Sequence, residues 1–333
     1  MADVMLANGS FVGEGAALLA AFLWAAATLM FGKLGRQLSP LLLNIVKGVC
    51  AIAMMMITLV VQAQISPDLA MLPALPTASV IFLLLSGALG IGLGDTAYFS
   101  AINTLGARRA LLLETLAPPI AALLAWLFLA EQLSLSAVTG IAVTLLGVAW
   151  VISERTPGTD RQTTGSGLRV ALLATFCQAA GAVLSRAALA DTVVSPLWSS
   201  LIRLLAGLVF MVALALARSE YLVGAVRPMA ISTATAADTT AKKSGWRNAV
   251  EMMMSPRLLG AIALTSFFAT YLGIWLQQVA LKYTATGIAQ ALLATSPLFV
   301  LPMAALLGER LSWRTVGGVV IALAGVCLLL SNS

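Results

Sequence analysis

Four ionisable residues fall inside long apolar runs of this chain: Lys47, Asp95, Glu114 and Arg203. A charge at membrane depth is expensive, so such a residue is paired, hydrated or used. Asp95 lies in GALGIGLGDTAYFSAI, where glycines at 87, 90, 92 and 94 permit close backbone approach or a local break. A carboxylate there can bind a substrate amine or carry a proton; its structural alternative is to partner Lys47 or Arg203. Glu114 stands one turn before Pro118-Pro119, where proline leaves a carbonyl unpaired and the helix can hinge. It is the second candidate for coupling, set against a snorkelling ion pair with Arg108 or Arg109. Lys47 and Arg203 each follow a proline by seven residues, about 10 Å of helix depth. Their symmetry suits structural charges better than substrate contacts. Glu131 and Glu309 occupy two equivalent Glu-x-Leu-Ser turns and are also read as structural, because an acid near a helix amino end is favoured by the helix dipole.

Aromatic and amide residues share those runs. Trp24, Asp95, Tyr98, Gln178, Tyr271, Trp275 and Gln290 form the expected substrate-binding set, with Gln277 nearby in sequence. A pocket mixing aromatic faces with a few polar groups suits amino acids or amphipathic metabolites. Other chemistries are disfavoured. There is no histidine, and Cys50, Cys177 and Cys327 all lie in apolar runs, so no metal site, disulfide or cofactor is expected. The chain has no Gly-rich loop ending in Lys-Ser/Thr, which argues against an ATP-driven pump, and its acids are too scattered for a membrane enzyme acting on lipids. The sequence pI is about 9.6, yet the basic residues form no stripe, so nucleic acid is not an expected partner.

These residues need a scaffold, and composition says which. Of 333 residues 60% are apolar and 10% charged, far from the usage of a soluble domain. Runs near the 20 residues needed to cross a bilayer fall at 15–32, 41–62, 79–102, 110–130, 135–153, 168–188, 196–217, 258–281, 286–307 and 315–331. The chain is also a duplication. Pro119 to Val148 aligns without a gap to Pro297 to Val326, with eleven of thirty residues identical, including Glu131/Glu309, Ser134/Ser312, Gly140/Gly318 and Gly147/Gly325. Ala17 onward echoes Ala171 onward, and Ser39-Pro40 with Lys47 echoes Ser195-Pro196 with Arg203. Five helices per copy is an odd number, so the second copy enters the membrane from the opposite side. The expected fold is all-α and integral to the membrane, with ten transmembrane helices as two inverted five-helix repeats. The first repeat is placed at 13–154, a linker at 155–167, and the second repeat at 168–332 with a polar loop at 218–257.

Loop charge sets orientation. Fifteen of the nineteen basic residues lie in loops after the odd-numbered helices, against only Arg186 and Lys282 at the other end, with Lys47 and Arg203 inside runs. This reading puts loop 218–257 in the cytoplasm and both termini outside the cell (inner) membrane. The glycine pairs seven apart mark one face of the fifth and tenth helices for tight packing, and a homodimer through such a face is an open alternative.

With the hairpin repeat, the ten runs and the Ser-Pro-x6-Lys/Arg pattern together, the chain resembles the drug/metabolite transporter (DMT) superfamily, specifically proteins with two EamA domains. The most specific stretches are LGARRALLLETLAPPIAALLAWLFLAEQLS and TATGIAQALLATSPLFVLPMAALLGERLS. The resemblance implies a multi-pass secondary transporter of small organic metabolites working by alternating access, with helices 1, 3, 6, 8 and 9 around a central cavity. A proton is the candidate coupling ion. It also implies cytoplasmic termini, the reverse of the loop-charge reading. A facilitative channel or membrane sensor is the alternative function, with a membrane enzyme behind it.

Overall fold

The computed structural model describes residues 2–34, 40–65, 75–105, 107–153, 165–217, 256–306 and 313–331. Ten helical segments cross the fold. They are α1 (Ala2–Leu34), α2 (Pro40–Ile65), α3 (Thr77–Ser86, Gly87–Gly94, Asp95–Leu105), α4 (Ala107–Glu114, Ala117–Leu129) and α5 (Leu135–Ser153). The second half repeats them as α6 (Gly165–Leu189), α7 (Pro196–Ala217), α8 (Pro256–Thr265, Ser266–Leu272, Gly273–Tyr283), α9 (Thr286–Leu293, Ser296–Leu306) and α10 (Trp313–Leu330). Among the described residues nine of these are long and apolar enough to span a membrane, while the apolar stretch of α1, Phe11–Ala27, is shorter. Leu123, Trp126, Leu127 and Phe128 on α4 are exposed, as a surface solvated by lipid requires.

Two pairs of segments are interrupted, and the interruptions are symmetric. In α3 the stretch Gly87–Gly94 is π-helical, and Asp95 N–H reaches back five residues to the Gly90 carbonyl. In α8 the stretch Ser266–Leu272 is π-helical, and Gly273 N–H reaches back five to the Phe268 carbonyl. Asp95 and Gly273 are equivalent positions of the two repeats. The four glycines foreshadow the first break; Ser266–Leu272 contains none and carries no comparable signal. The other pair is α4, broken at Thr115–Leu116, and α9, broken at Ala294–Thr295. There the threonine hydroxyls take up nearby carbonyls, Thr115 Oγ1 to Leu112 O at 2.7 Å and Thr295 Oγ1 to Leu292 O at 2.6 Å. Each break precedes the proline pair or Ser-Pro that cannot donate into the preceding turn.

The repeats interlock. α1 packs on α8 and α9 of the other half, and α6 packs on α3 and α4; α7 lies on the π stretch of α3, and α2 on that of α8. Close approach depends on missing Cβ atoms. A Cβ at Gly87 would collide with the Arg203 carbonyl, and one at Gly181 would stand 3.1 Å from the Gly90 Cα. The glycine faces of α5 and α10 pack on each other: a Cβ at Gly147 would stand 2.6 Å from the Gly318 carbonyl, and one at Gly140 3.0 Å from the Leu329 side chain. At the helix starts, Ser134 Oγ accepts from Ala137 N–H at 3.1 Å and Ser195 Oγ from Trp198 N–H at 3.3 Å, the capping arrangement. Ser312, the mate of Ser134, and nearly all of the linker and the 218–257 loop lie outside the described residues.

Candidate functional site

Asp95 resumes the α-helix after the π stretch of α3, and this irregular turn aims it at α6. Gln178 Nε2 donates to Asp95 Oδ1 at 2.9 Å. Beside them lies Arg203 of α7, only 2% exposed. A Cβ at Gly90 would stand 3.5 Å from Arg203 Nη2 and 3.8 Å from Gln178 Oε1, so the absent side chain leaves both polar groups room on one face of α3. Arg203 Nη1 donates to Gln277 Oε1 of α8 at 3.3 Å, and its Nε has no hydrogen-bond partner. Lys47 Nζ donates to Asn44 Oδ1 within α2 at 3.3 Å. The charges of Lys47 and Arg203 both act on Asp95. One carboxylate, two cations and two amides thus converge from α2, α3, α6, α7 and α8, where the halves meet.

The symmetry of the fold relates Trp24 to Gln178, since Ala17 and Ala171 open equivalent helices. Trp24 Nε1 donates to the Ala269 carbonyl at 2.8 Å, a main-chain oxygen inside the π stretch of α8. A Cβ at Gly273 would collide with the indole nitrogen. So the first helix of each half reaches the irregular helix of the other: an indole meets a glycine on one side, and an amide meets a carboxylate on the other. The carboxylate has no mate.

Glu114 ends the first half of α4, and its Oε2 is 3.5 Å from Thr175 Oγ1 of α6, which also donates to Ala171 O at 3.0 Å and lies 3.2 Å from Leu113 O. The charge of Asp95 acts on it, linking the two acids electrostatically. Other expected residues make contacts of their own, and the charges of Asp95 and Glu114 reach Tyr98. Tyr98 packs with Ala101, Leu105, Ala110 and Ala171 between α3, α4 and α6. The Tyr271 hydroxyl pairs with Thr58 Oγ1 of α2 at 2.8 Å; its ring stacks on Phe267 at 5.4 Å and lies 6.1 Å from Trp275. Gln290 of α9 is 8% exposed and its Nε2 has no hydrogen-bond partner.

At the hairpin tip, Glu131 Oε1 meets Arg186 Nε of α6 at 2.7 Å, and Glu131 Oε2 accepts the first N–H of α9, from Thr286, at 2.9 Å. Its mate Glu309 lies outside the described residues. Two charged groups escaped the sequence reading. Arg186 was counted as an end-of-helix charge, and nothing in its own run pointed to Glu131, 55 residues away. Glu14 of α1 is 3% exposed with Oε2 lacking a hydrogen-bond partner; an acid at the head of an apolar run, FVGEGAALL, was the available signal.

A model of the EamA-like transporter family matches residues 11–153 and again residues 165–331. No curated protein matches the chain in sequence. A protein of known crystal structure is similar over 98% of this chain and 96% of its own, with a TM-score of 0.69 and 16% sequence identity, a likeness of fold alone.

Proposed function

Because the chain belongs to the EamA-like transporter family, we propose that it is a secondary transporter of small organic metabolites, of the amino-acid type, working by alternating access in the cell (inner) membrane. The observation that carries this reading is the mixed-charge set shared by the two repeats. Asp95 and Lys47 come from the first, Gln178, Arg203 and Gln277 from the second. A solute carrying both an ammonium and a carboxylate matches one acid between two cations. Rocking one repeat against the other separates these groups and exposes the solute to one side at a time. The breaks in α3, α4, α8 and α9 supply places for the main chain to bend. Asp95 is the proton-carrying group, with Glu114 coupled to it electrostatically, and the substrate contacts extend to Trp24.

Counterflow tests the reading. Proteoliposomes are preloaded with an unlabelled amino-acid mixture, and entry of the labelled mixture is followed. The protein accelerates entry saturably over protein-free vesicles, and Asp95→Asn lowers the initial rate at subsaturating solute at least about tenfold, the scale of one lost charge-assisted contact. Entry no faster than in protein-free vesicles, for amino acids and then for amines, sugars and nucleosides, contradicts it.

A further inference from the structure

At the end of the bundle that holds the termini, four segments are tied by charged groups. Glu131, at the tip between α4 and α5, spends one carboxylate oxygen on Arg186 Nε at 2.7 Å and the other on the Thr286 N–H at 2.9 Å. Arg186, at the end of α6, turns Nη1 to the carbonyls of Leu281 at 3.0 Å and Lys282 at 2.6 Å, the last turn of α8. Lys282 in turn donates from Nζ to the carbonyls of Thr192 at 3.2 Å and Val194 at 2.7 Å, in the connection from α6 to α7. The arginine and glutamate side chains are only 18% and 15% exposed. Arg186 sits on carbonyls at the carboxyl end of α8 and Glu131 on the amino end of α9, so these two contacts are favoured by a helix dipole as well as by their partners.

We propose that this chain of contacts is a gate latch: it holds the terminus-bearing end of the transport path shut, and solute passes that end only when Glu131 lets go of Arg186 and Thr286. The inference rests on the transporter reading. Its geometry is suited to a gate because Glu131 belongs to the first repeat while Arg186, Lys282 and Thr286 belong to the second. Any rocking that parts the repeats at this end must break the Glu131 contacts together. Arg186 then keeps its carbonyl partners and stays solvated by α8, so the open state leaves one acid facing water rather than two buried charges.

The test uses Cys177, which is buried beside Gly94, where a Cβ would lie 3.3 Å from it, at the level of Asp95. Cys50→Ser and Cys327→Ser leave it as the sole thiol. A charged, membrane-impermeant methanethiosulfonate reagent is applied separately to each face of sealed vesicles. Glu131→Gln and Arg186→Gln each raise the Cys177 reaction rate about tenfold from the terminus side alone, as loss of one charge-assisted bond predicts. Arg186→Lys, which keeps a donor cation, gives a smaller rise. Lys282→Gln leaves the ion pair in place and raises the rate about threefold, and it decides the matter if the other variants fail to fold. Unchanged rates from the terminus side, or a rise equal from both sides, overturn the latch. The labelling needs no solute, so a failed latch and a failed transport assay are separate results.

Discussion

Ala130 shows how single residues are held to a shape by what they position. It adopts φ 53°, in the left-handed region, and the N–H groups of Ala130 and Glu131 both turn back to the Ala125 carbonyl. This terminates α4 and swings Glu131 round to α6 and α9. An alanine there costs about 1 kcal/mol over glycine, and the equivalent position of the second repeat is Gly308. Ala130→Gly is therefore expected to raise the unfolding midpoint in detergent by a small amount, on the order of 1 kcal/mol, with Cys177 labelling unchanged; a lower midpoint contradicts this account of the tip. The site itself was partly legible at this scale. Asp95, Lys47 and Arg203 announce themselves because charges stand out in apolar runs, and the structure sets them in one field. Tyr271 and Gln290 share the composition of a binding pocket, yet side-chain type says nothing about which face of a helix looks inward, and the Tyr271 hydroxyl is spent on Thr58.

At the scale of elements, glycine accounts for the break in α3 and for several close contacts. The run Gly87, Gly90, Gly92, Gly94 lets α3 adopt a π-helical stretch and lets Arg203 lie against it. In α5 and α10 the glycines seven apart do a different job. The face marked in sequence by Gly140 and Gly147 is filled by α10 of the same chain, around Gly318, Ala322 and Leu329. Gly147→Leu forces a side chain into the Ala322 backbone and is expected to destabilise the fold by about 1–3 kcal/mol, as overpacking does. Gly317→Ala, on the neighbouring exposed face with nothing within 4 Å, is expected to be neutral or slightly stabilising. Equal thermal shifts for the two variants would mean that α5 and α10 do not pack through this seam. Helix number and order were readable because membrane spans are long apolar runs. The prolines after Glu114 foreshadowed the break in α4, whereas the π stretch of α8 has no glycine or proline to mark it.

For the whole molecule, inversion explains the asymmetric site. Two copies of one five-helix unit, entering the membrane from opposite sides, place each first helix against the other copy's third and fourth. Equivalent residues then face each other across the axis: Trp24 works against α8 and Gln178 against α3. Substitution in only one copy makes the pair unequal, so Asp95 stands where the other half has Gly273. An EamA-like transporter built this way has Asp95 at the meeting of its halves and a charged clasp at one end. Asp95 is the group through which we propose that the solute and the proton act. Uptake of labelled amino acids into proteoliposomes, with and without an imposed pH gradient, tests it most directly for wild type, Asp95→Asn and Glu114→Gln. The account predicts gradient-driven accumulation in wild type, none in Asp95→Asn although slow exchange without a gradient persists, and a partial response in Glu114→Gln. Accumulation in Asp95→Asn equal to that in wild type would contradict it.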